Sequence, residues 1–435
     1  MKRRDVLKTG LFAAAGIALP AASTRAGESP EALRVALIGV GTQGRELIRA
    51  ALLDPKVRFV AVCDPWEYAR RYGQYYLKNY GMEANTYADF REMLDRERRL
   101  DAVVIASPDC VHAEQTVACL EAGRHVYCET PMSNAIEGAR AMVRAARATG
   151  RLLQIGYQRR SNPRYLHVRN ALLHEARLIG RVVHVDTSWV LALKPDRGWP
   201  RRQEMADDVL RQHGYDGMEQ FRNWRWFRGF SAGLFANLGA HQVDVVGWFL
   251  GTAPRSVMAG GAGAADPDRW HDDVTAVYEY DAPGGAVQVG CRMLTSTRGD
   301  GSGNYEMFLG TEGSLRTSQN PAQTAVYRDP DAPDWAEWVR REYVTQGETQ
   351  RLRPAEREQR EVSETGEVVP YRIPVVVDKP PCHAHLANLF EAVRGRGQLN
   401  CPADVAFVTE AAVHRVEAAL REARKLPFDP AQFEV

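Results

Sequence analysis

No stretch of this chain has the roughly 18 consecutive apolar residues that a membrane-spanning helix requires. The longest candidate, Leu11 to Ala22, is interrupted by Pro20. There is no excess of either charge: 56 Lys and Arg stand against 55 Asp and Glu, a formal +1, and no basic stripe stands out. Nucleic acid and anionic membrane surfaces are therefore not expected as partners. There is no CxxC pair and no Cys/His cluster at ligand spacing, so no metal site is expected. The seven cysteines are odd in number, and Cys63 and Cys128 lie in apolar, strand-like runs. That pattern predicts buried, reduced thiols and argues against a disulfide framework. No internal repeat occurs. The chain is 45% hydrophobic over 435 residues, enough apolar mass for two domains.

The amino terminus is the first feature present. Lys2, Arg3, Arg4 and Lys8 form a positive region, an apolar stretch follows, and then small residues lead to Ala26. This is the layout of an export signal, with cleavage expected near Ala26. Adjacent Arg3 and Arg4 followed by Val6-Leu7-Lys8 resemble the twin-arginine pattern, with Val6 where Phe is commoner. Residues 1–26 are thus expected to be a twin-arginine signal peptide, with the Tat export machinery as a partner and the periplasm as destination. The cysteines agree, since reduced thiols fit a protein folded in the cytosol before export.

Residues 31–157 alternate short β-branched runs with helical stretches. Strands are expected at Arg34–Ile38, Val57–Cys63, Ala102–Ala106, His125–Cys128 and Leu152–Ile155, with helices such as Arg45–Leu53 and Ile136–Ala146 between them. The alternation predicts an α/β fold with a doubly wound parallel sheet. From Arg181 the texture changes to longer strands separated by turns such as Pro283-Gly284-Gly285: Val182–Val190, Ser256–Ala262, Val274–Tyr280, Ala286–Leu294, Tyr305–Leu309 and Ser314–Arg316. A second domain over 158–382 with a mostly antiparallel sheet is expected. Within it, the charged and Pro-containing stretch 318–378 reads as a solvated loop insertion. Residues 383–435 are expected to form carboxyl-terminal helices packing back on the body: His383–Arg394 and Ala403–Lys425 carry helical periodicity, with Leu386, Leu389, Phe390 and Val393 on one face.

Gly39-Val40-Gly41-Thr42-Gln43-Gly44 directly follows the first apolar run. Gly39 suits a tight turn, Gly41 a close approach of pyrophosphate to the backbone, and Gly44 the packing of the next helix on the sheet. Asp64 ends the second strand, twenty residues after Gly44, where an acid accepts hydrogen bonds from ribose hydroxyls and repels a 2′-phosphate. NAD is the expected cofactor. Thr42 and Gln43 belong to the same turn. Ser107, Pro108 and His112 follow the strand ending near Ala106, at the carboxyl edge of the sheet where ligands bind. For His112, local packing at a helix start is the alternative.

With these motifs goes a resemblance. Gly39–Gly44, Asp64, Ser107-Pro108, Glu129-Thr130-Pro131 and Gly239-Ala240-His241-Gln242-Val243-Asp244 resemble the glucose–fructose oxidoreductase / inositol dehydrogenase / MocA family, and Asn223-Trp224-Arg225-Trp226 looks like its exported members. The resemblance implies a Rossmann domain joined to an α/β domain with an open mixed sheet, a sugar or polyol between them, homo-oligomers, and Glu129 in the cofactor site. Two departures stand out. The family dehydrogenases carry Glu-Lys-Pro where this chain has Glu129-Thr130-Pro131, and an Asp where it has Asn237, four residues before His241. Thr130 donates a hydrogen bond but has no charge with which to stabilise an alkoxide, and Asn237 positions a hydroxyl without acting as a base. His241 is left as the acid/base candidate, with packing of a core histidine as the alternative. Tyr157, Arg159, Trp226 and Asp244 are candidate substrate contacts, and Arg160 and Arg225 offer further donors. Trp189, Trp199 and Trp224 offer flat faces for sugar rings or simply fill core. Lys194, at the end of a strand-like run, is the candidate to replace the missing lysine in space.

Three functions remain open on the sequence: an NAD-dependent oxidoreductase of a sugar or sugar derivative with tightly bound cofactor; a redox-neutral glycosidase or lyase that oxidises its sugar transiently; and a non-catalytic NAD- and sugar-binding protein.

Overall fold

The computed structural model describes residues 32–191, 197–262, 268–271, 273–295, 303–347 and 369–435. The expected signal peptide and Lys194 lie outside the described residues.

The first domain is a six-stranded parallel sheet. Its strands are β1 (Leu33–Ile38), β2 (Val57–Cys63), β3 (Asn85–Tyr87), β4 (Ala102–Ile105), β5 (His125–Cys128) and β6 (Leu153–Ile155), in the spatial order β3-β2-β1-β4-β5-β6. Alternate residues along each strand face opposite sides. Val35, Leu37, Phe59 and Val104 pack with Leu47 and Ile48 of helix α1 (Thr42–Ala51) and with Leu386, Leu389 and Phe390 of the helix His383–Val393. Ala36, Ile38, Val103 and Val126 pack on the other side with Met142 and Val143. Both faces are covered, which is why these strands read as unbroken apolar runs. The order reverses between β1 and β4, and there the carboxyl ends of the strands open a crevice.

The fold class is as expected, with one strand more than the sequence announced. β3 is three residues long, none of them buried, and is recruited by pairing with β2.

The second domain is a ten-stranded mixed sheet. Its long strands are β7 (Val182–Leu191), β8 (Pro254–Ala262), β9 (Asp273–Ala282), β10 (Gly285–Thr295), β11 (Asn304–Gly310) and β12 (Gly313–Thr317). Neighbours are antiparallel except β7 and β10, which run parallel. Val274, Ala276, Tyr278 and Tyr280 alternate inward along β9. The Tyr278 hydroxyl donates to the Ala412 carbonyl of the long helix Ala403–Glu422 at 3.2 Å.

The expected loop over 318–378 is corrected in part. Its described portions hold β13 (Ala325–Arg328), β14 (Thr345–Gln346) and β15 (Val369–Arg372), which extend the sheet beyond β12 in the order β14-β15-β13-β12. Residues 348–368, including Arg353-Pro354, lie outside the described residues. The short strand Leu426–Pro427 (β16) closes the opposite edge on β8.

One segment of the second domain leaves the sheet and covers the crevice of the first. Between 197 and 232 the chain runs through short helical turns. Met205, Leu210, Tyr215, Met218 and Trp224 share a core with Val40 and Trp66 of the Rossmann domain. The Trp66 indole N–H donates to the Gln203 carbonyl at 2.5 Å, the Cys110 amide to the Phe230 carbonyl at 3.2 Å, and the Asn134 side-chain amide to the Gly229 carbonyl at 2.8 Å. These contacts touch the segments that follow β2, β4 and β5 at the carboxyl edge of the parallel sheet. Trp199 and Trp224 thus pack with this cover and the Rossmann core.

Candidate active site

The glycine turn is built to hold a dinucleotide. Gly39 has φ +90°, and a Cβ there would stand 2.6 Å from the Ala106 backbone. At Gly44 a Cβ would meet the Gly39 carbonyl at 2.0 Å. At Gly41 it would meet nothing within 4 Å, so this position borders open space at the start of α1. No side chain caps α1 and no acid lies in its first turn, which leaves its N–H groups and the positive end of its dipole to a phosphate. Asp64 lies at the end of β2, its carboxylate accepting from the Val40 amide at 2.8 Å and the Trp66 amide at 2.9 Å. Burial raises its pKa, against the pull of those amides. Among the described residues the donors and the cradle fit NAD.

The remaining cofactor candidates gather at the same edge. The Gln43 side chain donates to Glu129 at 2.9 Å, tying the glycine turn to the loop after β5. Ser107 donates to Gln115 at 2.6 Å, and Pro108 precedes the helix Asp109–Glu121. The His112 ring is buried beneath the loops, Nδ1 at 2.9 Å from the Pro131 carbonyl and Nε2 at 2.8 Å from the Ser107 carbonyl. Both neighbours only accept, so the ring holds the loop after β4 to the loop after β5 by donating from both nitrogens. Burial works against its charge, but Cys128, Asp109 and the Pro131 carbonyl outweigh it and raise the pKa to about 10. His112 is therefore a clamp below the cofactor loops.

Thr130 and His241 meet across the domain boundary. His241 lies in the first turn of the helix Ala240–Leu250, and its Nε2 stands 3.3 Å from Thr130 Oγ1. The ring packs edge-on to Tyr157, centroids 5.7 Å apart, and 5.9 Å from Trp189. Its Nδ1 is buried without a hydrogen-bond partner among the described residues. Burial, then the charge of Arg159, then His385 push the His241 pKa down to about 3. These surroundings favour the neutral imidazole over its protonated form.

Several of the expected substrate contacts have polar atoms engaged within the protein. The Tyr157 hydroxyl donates to Glu410 at 2.8 Å. Arg159 pairs with Glu306, both essentially inaccessible to solvent. Asp244 accepts two bonds from Arg160 at 2.8 and 3.0 Å on one oxygen, another at 2.9 Å on the other, and one from Thr409 at 3.1 Å. Asn237, in the wide helical turn Phe235–Gly239, donates to Asp109 at 2.7 Å and Ser231 at 2.9 Å. Its side-chain N–H groups thus hold the loop around Ser231 to Asp109. Trp226 is partly buried against the main core. Asp109 and Glu306 were not singled out in the sequence, and nothing local marks either one. Arg225 is partly buried, its guanidinium 4.3 Å from the Trp224 ring, and makes no hydrogen bond or ion pair with another described residue.

The neutral ring carries a stability prediction. A histidine whose folded pKa lies below its unfolded value of about 6.5 contributes stability that is complete above pH 6.5 and falls as pH drops towards the folded value. His385 behaves alike, with burial as the main cause of a pKa near 4. Buried carboxyls with raised pKa values, such as Asp64 and Glu129, act in the opposite sense. A comparison with His241→Asn removes their contribution. Between pH 6.5 and 4 the variant's unfolding free energy should be flatter by about 1.4 kcal/mol per pH unit, read by urea titration at each pH. Equal slopes would show that the ring is not held neutral.

Residues 33–157 match the model of the oxidoreductase family with an NAD-binding Rossmann fold, and residues 168–316 match the GFO/IDH/MocA C-terminal domain. Among curated relatives, inositol 2-dehydrogenase/D-chiro-inositol 3-dehydrogenase of Shouchella clausii is 34% identical over 154 residues, 35% of this chain and 43% of the relative. Inositol 2-dehydrogenase of Salmonella typhimurium is 30% identical over 142 residues, 32% of this chain and 41% of the relative. The chain thus spans less than half the length of these relatives. The WlbA dehydrogenase of Bordetella pertussis, solved with NADH and UDP-GlcNAcA, superposes with a TM-score of 0.63 at 20% identity, covering 92% of this chain and 99% of that one. Levoglucosan dehydrogenase with NADH gives 0.66 at 16% identity, covering 91% and 99%. Likeness at these identities is likeness of fold. With the glycine cradle, the crossed sheet order and both family matches in hand, the chain belongs to the Gfo/Idh/MocA family of oxidoreductases with an NAD-binding Rossmann domain.

Proposed function

We propose that this chain is an NAD-dependent oxidoreductase of a sugar, polyol or sugar derivative that keeps its cofactor bound and works after export to the periplasm. The observation that carries the reading is the pairing of Thr130 with a neutral His241 across the domain boundary. Bound NAD would supply a hydride acceptor. The chain's own residues supply the rest: His241 accepts the proton of the reacting hydroxyl, and Thr130 holds the ring and the hydroxyl in line. The relatives named inositol dehydrogenases support the substrate class. The twin-arginine pattern supports export of a protein already folded around its cofactor. Retention then follows from need: outside the cytosol a second substrate must recycle the cofactor within the same site. The open face of the ten-stranded sheet, with Val183 and Met258 exposed, supports a homo-oligomer.

One observation favours a second reading. Thr130 has no charge to stabilise an alkoxide that persists, which suits transient oxidation followed by cleavage of a glycoside and return of the hydride. The products separate the two: an oxidised sugar in the first, a cleaved glycoside with no net oxidation in the second. The test begins with protein made in the cytosol, desalted and denatured, its released NAD(H) and NADP(H) counted by mass spectrometry. Near-stoichiometric NAD(H) is expected. An empty protein that also fails to bind added NAD would sink both readings.

A further inference from the structure

The phosphate end of the dinucleotide site is not built by the Rossmann domain alone. Three arginines converge where α1 begins. Arg45 lies one turn into α1, its Nε donating to the Val40 carbonyl at 3.1 Å and its guanidinium 3.6 Å from the centre of the Tyr72 ring. The other two come from the covering segment of the second domain. Arg197 Nη1 stands 3.4 Å from Thr42 Oγ1, the first residue of α1. Arg222 donates to the Gly198 carbonyl at 3.3 Å, and its guanidinium lies 5.2 Å from the Trp66 ring, beside Asp64 in sequence and space. None of the three forms an ion pair with a carboxylate among the described residues. Arg222 is half-buried, and burial, then Arg197, then Arg45 disfavour its charge.

Arg197 and Arg45 disfavour the charge on Arg222 more than Asp64 favours it, and an anion would relieve that repulsion. The three arginines gather around the free N–H groups of a ten-residue helix and a glycine whose side-chain position is open. We infer that Arg197 and Arg222, with Arg45, bind a phosphate group of the dinucleotide, so that the cofactor is gripped between the two domains. Release then requires the 197–232 cover to part from the loops it touches. The inference rests on NAD binding, and it supplies a physical cause for the retention proposed above.

The experiment uses the full chain freed of nucleotide, with adenosine, ADP and 2′-AMP as calorimetric probes. The wild type should bind ADP more tightly than adenosine. Arg197→Gln with Arg222→Gln should weaken ADP by about 10- to 100-fold for each arginine lost and leave adenosine unchanged. Arg197 is exposed, so the single Arg197→Gln keeps the fold and reports by itself. A loss confined to 2′-AMP, with ADP unchanged, would overturn the clamp, because NAD carries no 2′-phosphate. Equal ADP and 2′-AMP affinities in wild type and variants would overturn it. So would an equal loss for adenosine, which marks structural damage. Neither result would touch the assignment of His241 and Thr130.

Discussion

His241→Ala should lower kcat by about 10²- to 10⁴-fold while NAD still binds. Among the described residues, the ring is the group that hydrogen-bonds the Thr130 hydroxyl at the domain boundary, and its buried Nδ1 has no described partner. Thr130→Val should cost less, about tenfold, because it removes a hydroxyl that orients the ring but leaves the base. Thr130→Ser should restore it. The pH profile provides a second reading of the same residue. A base acts when deprotonated, so activity is full above its pKa and falls as pH drops through it. With the pKa of the free protein depressed to about 3, kcat/KM should stay level through pH 6.5 and decline only in strong acid. Stopped assays on the wild-type substrate, with NAD affinity measured in parallel, check both. If His241→Ala keeps its turnover, the histidine is packing.

Glu306→Ala should remove about 3–5 kcal/mol of stability. Glu306 has no solvent exposure, and its carboxylate meets the Arg159 guanidinium on one oxygen and the Tyr165 hydroxyl at 2.9 Å on the other. Truncating it leaves a buried guanidinium between Tyr165 and Trp189, its charge uncompensated. Replacing both partners, as Arg159→Met with Glu306→Leu, should recover most of that loss, because no bare charge remains. Arg159 also helps hold His241 neutral, so the double variant should raise the histidine pKa. Urea unfolding and the titration of the His241 ring by NMR report the two effects separately. If the single and double variants prove equally unstable, packing and not charge explains the site.

What could be read in the sequence follows the range over which each feature is determined. β1, β2 and β5 are recognisable because strands covered on both faces must be apolar throughout, and the Gly39–Gly44 turn because three constraints fall within six residues. β3 carries no such mark, since Asn85-Thr86-Tyr87 become a strand only by pairing with β2. β13 and β15 are set among charged residues and gain their order from each other. The site divides in the same way. His241 stands in a recognisable motif. The fate of Arg159 depends on an acid 147 residues away, and that of Tyr157 on one 253 residues away. A donor reads as available until its acceptor is known, which is why the internal partners of Tyr157, Arg159 and Asp244 were not legible in the sequence.

The bond between Asn237 and Asp109 has an evolutionary consequence. The resemblance places an acid at 237, and this chain has an amide there, but the amide touches a buried acid carried by the opposite domain. Asn237→Asp alone would set two carboxylates 2.7 Å apart. Asp109→Asn alone would take the acceptor from the Ala232 amide unless the new side chain turned its oxygen that way. Either step is a valley, and the arrangement is easily inverted only by exchanging both residues at once. In this chain the acid of the pair belongs to the Rossmann domain and the amide to the second domain, so a change at either position is a change to both domains at once.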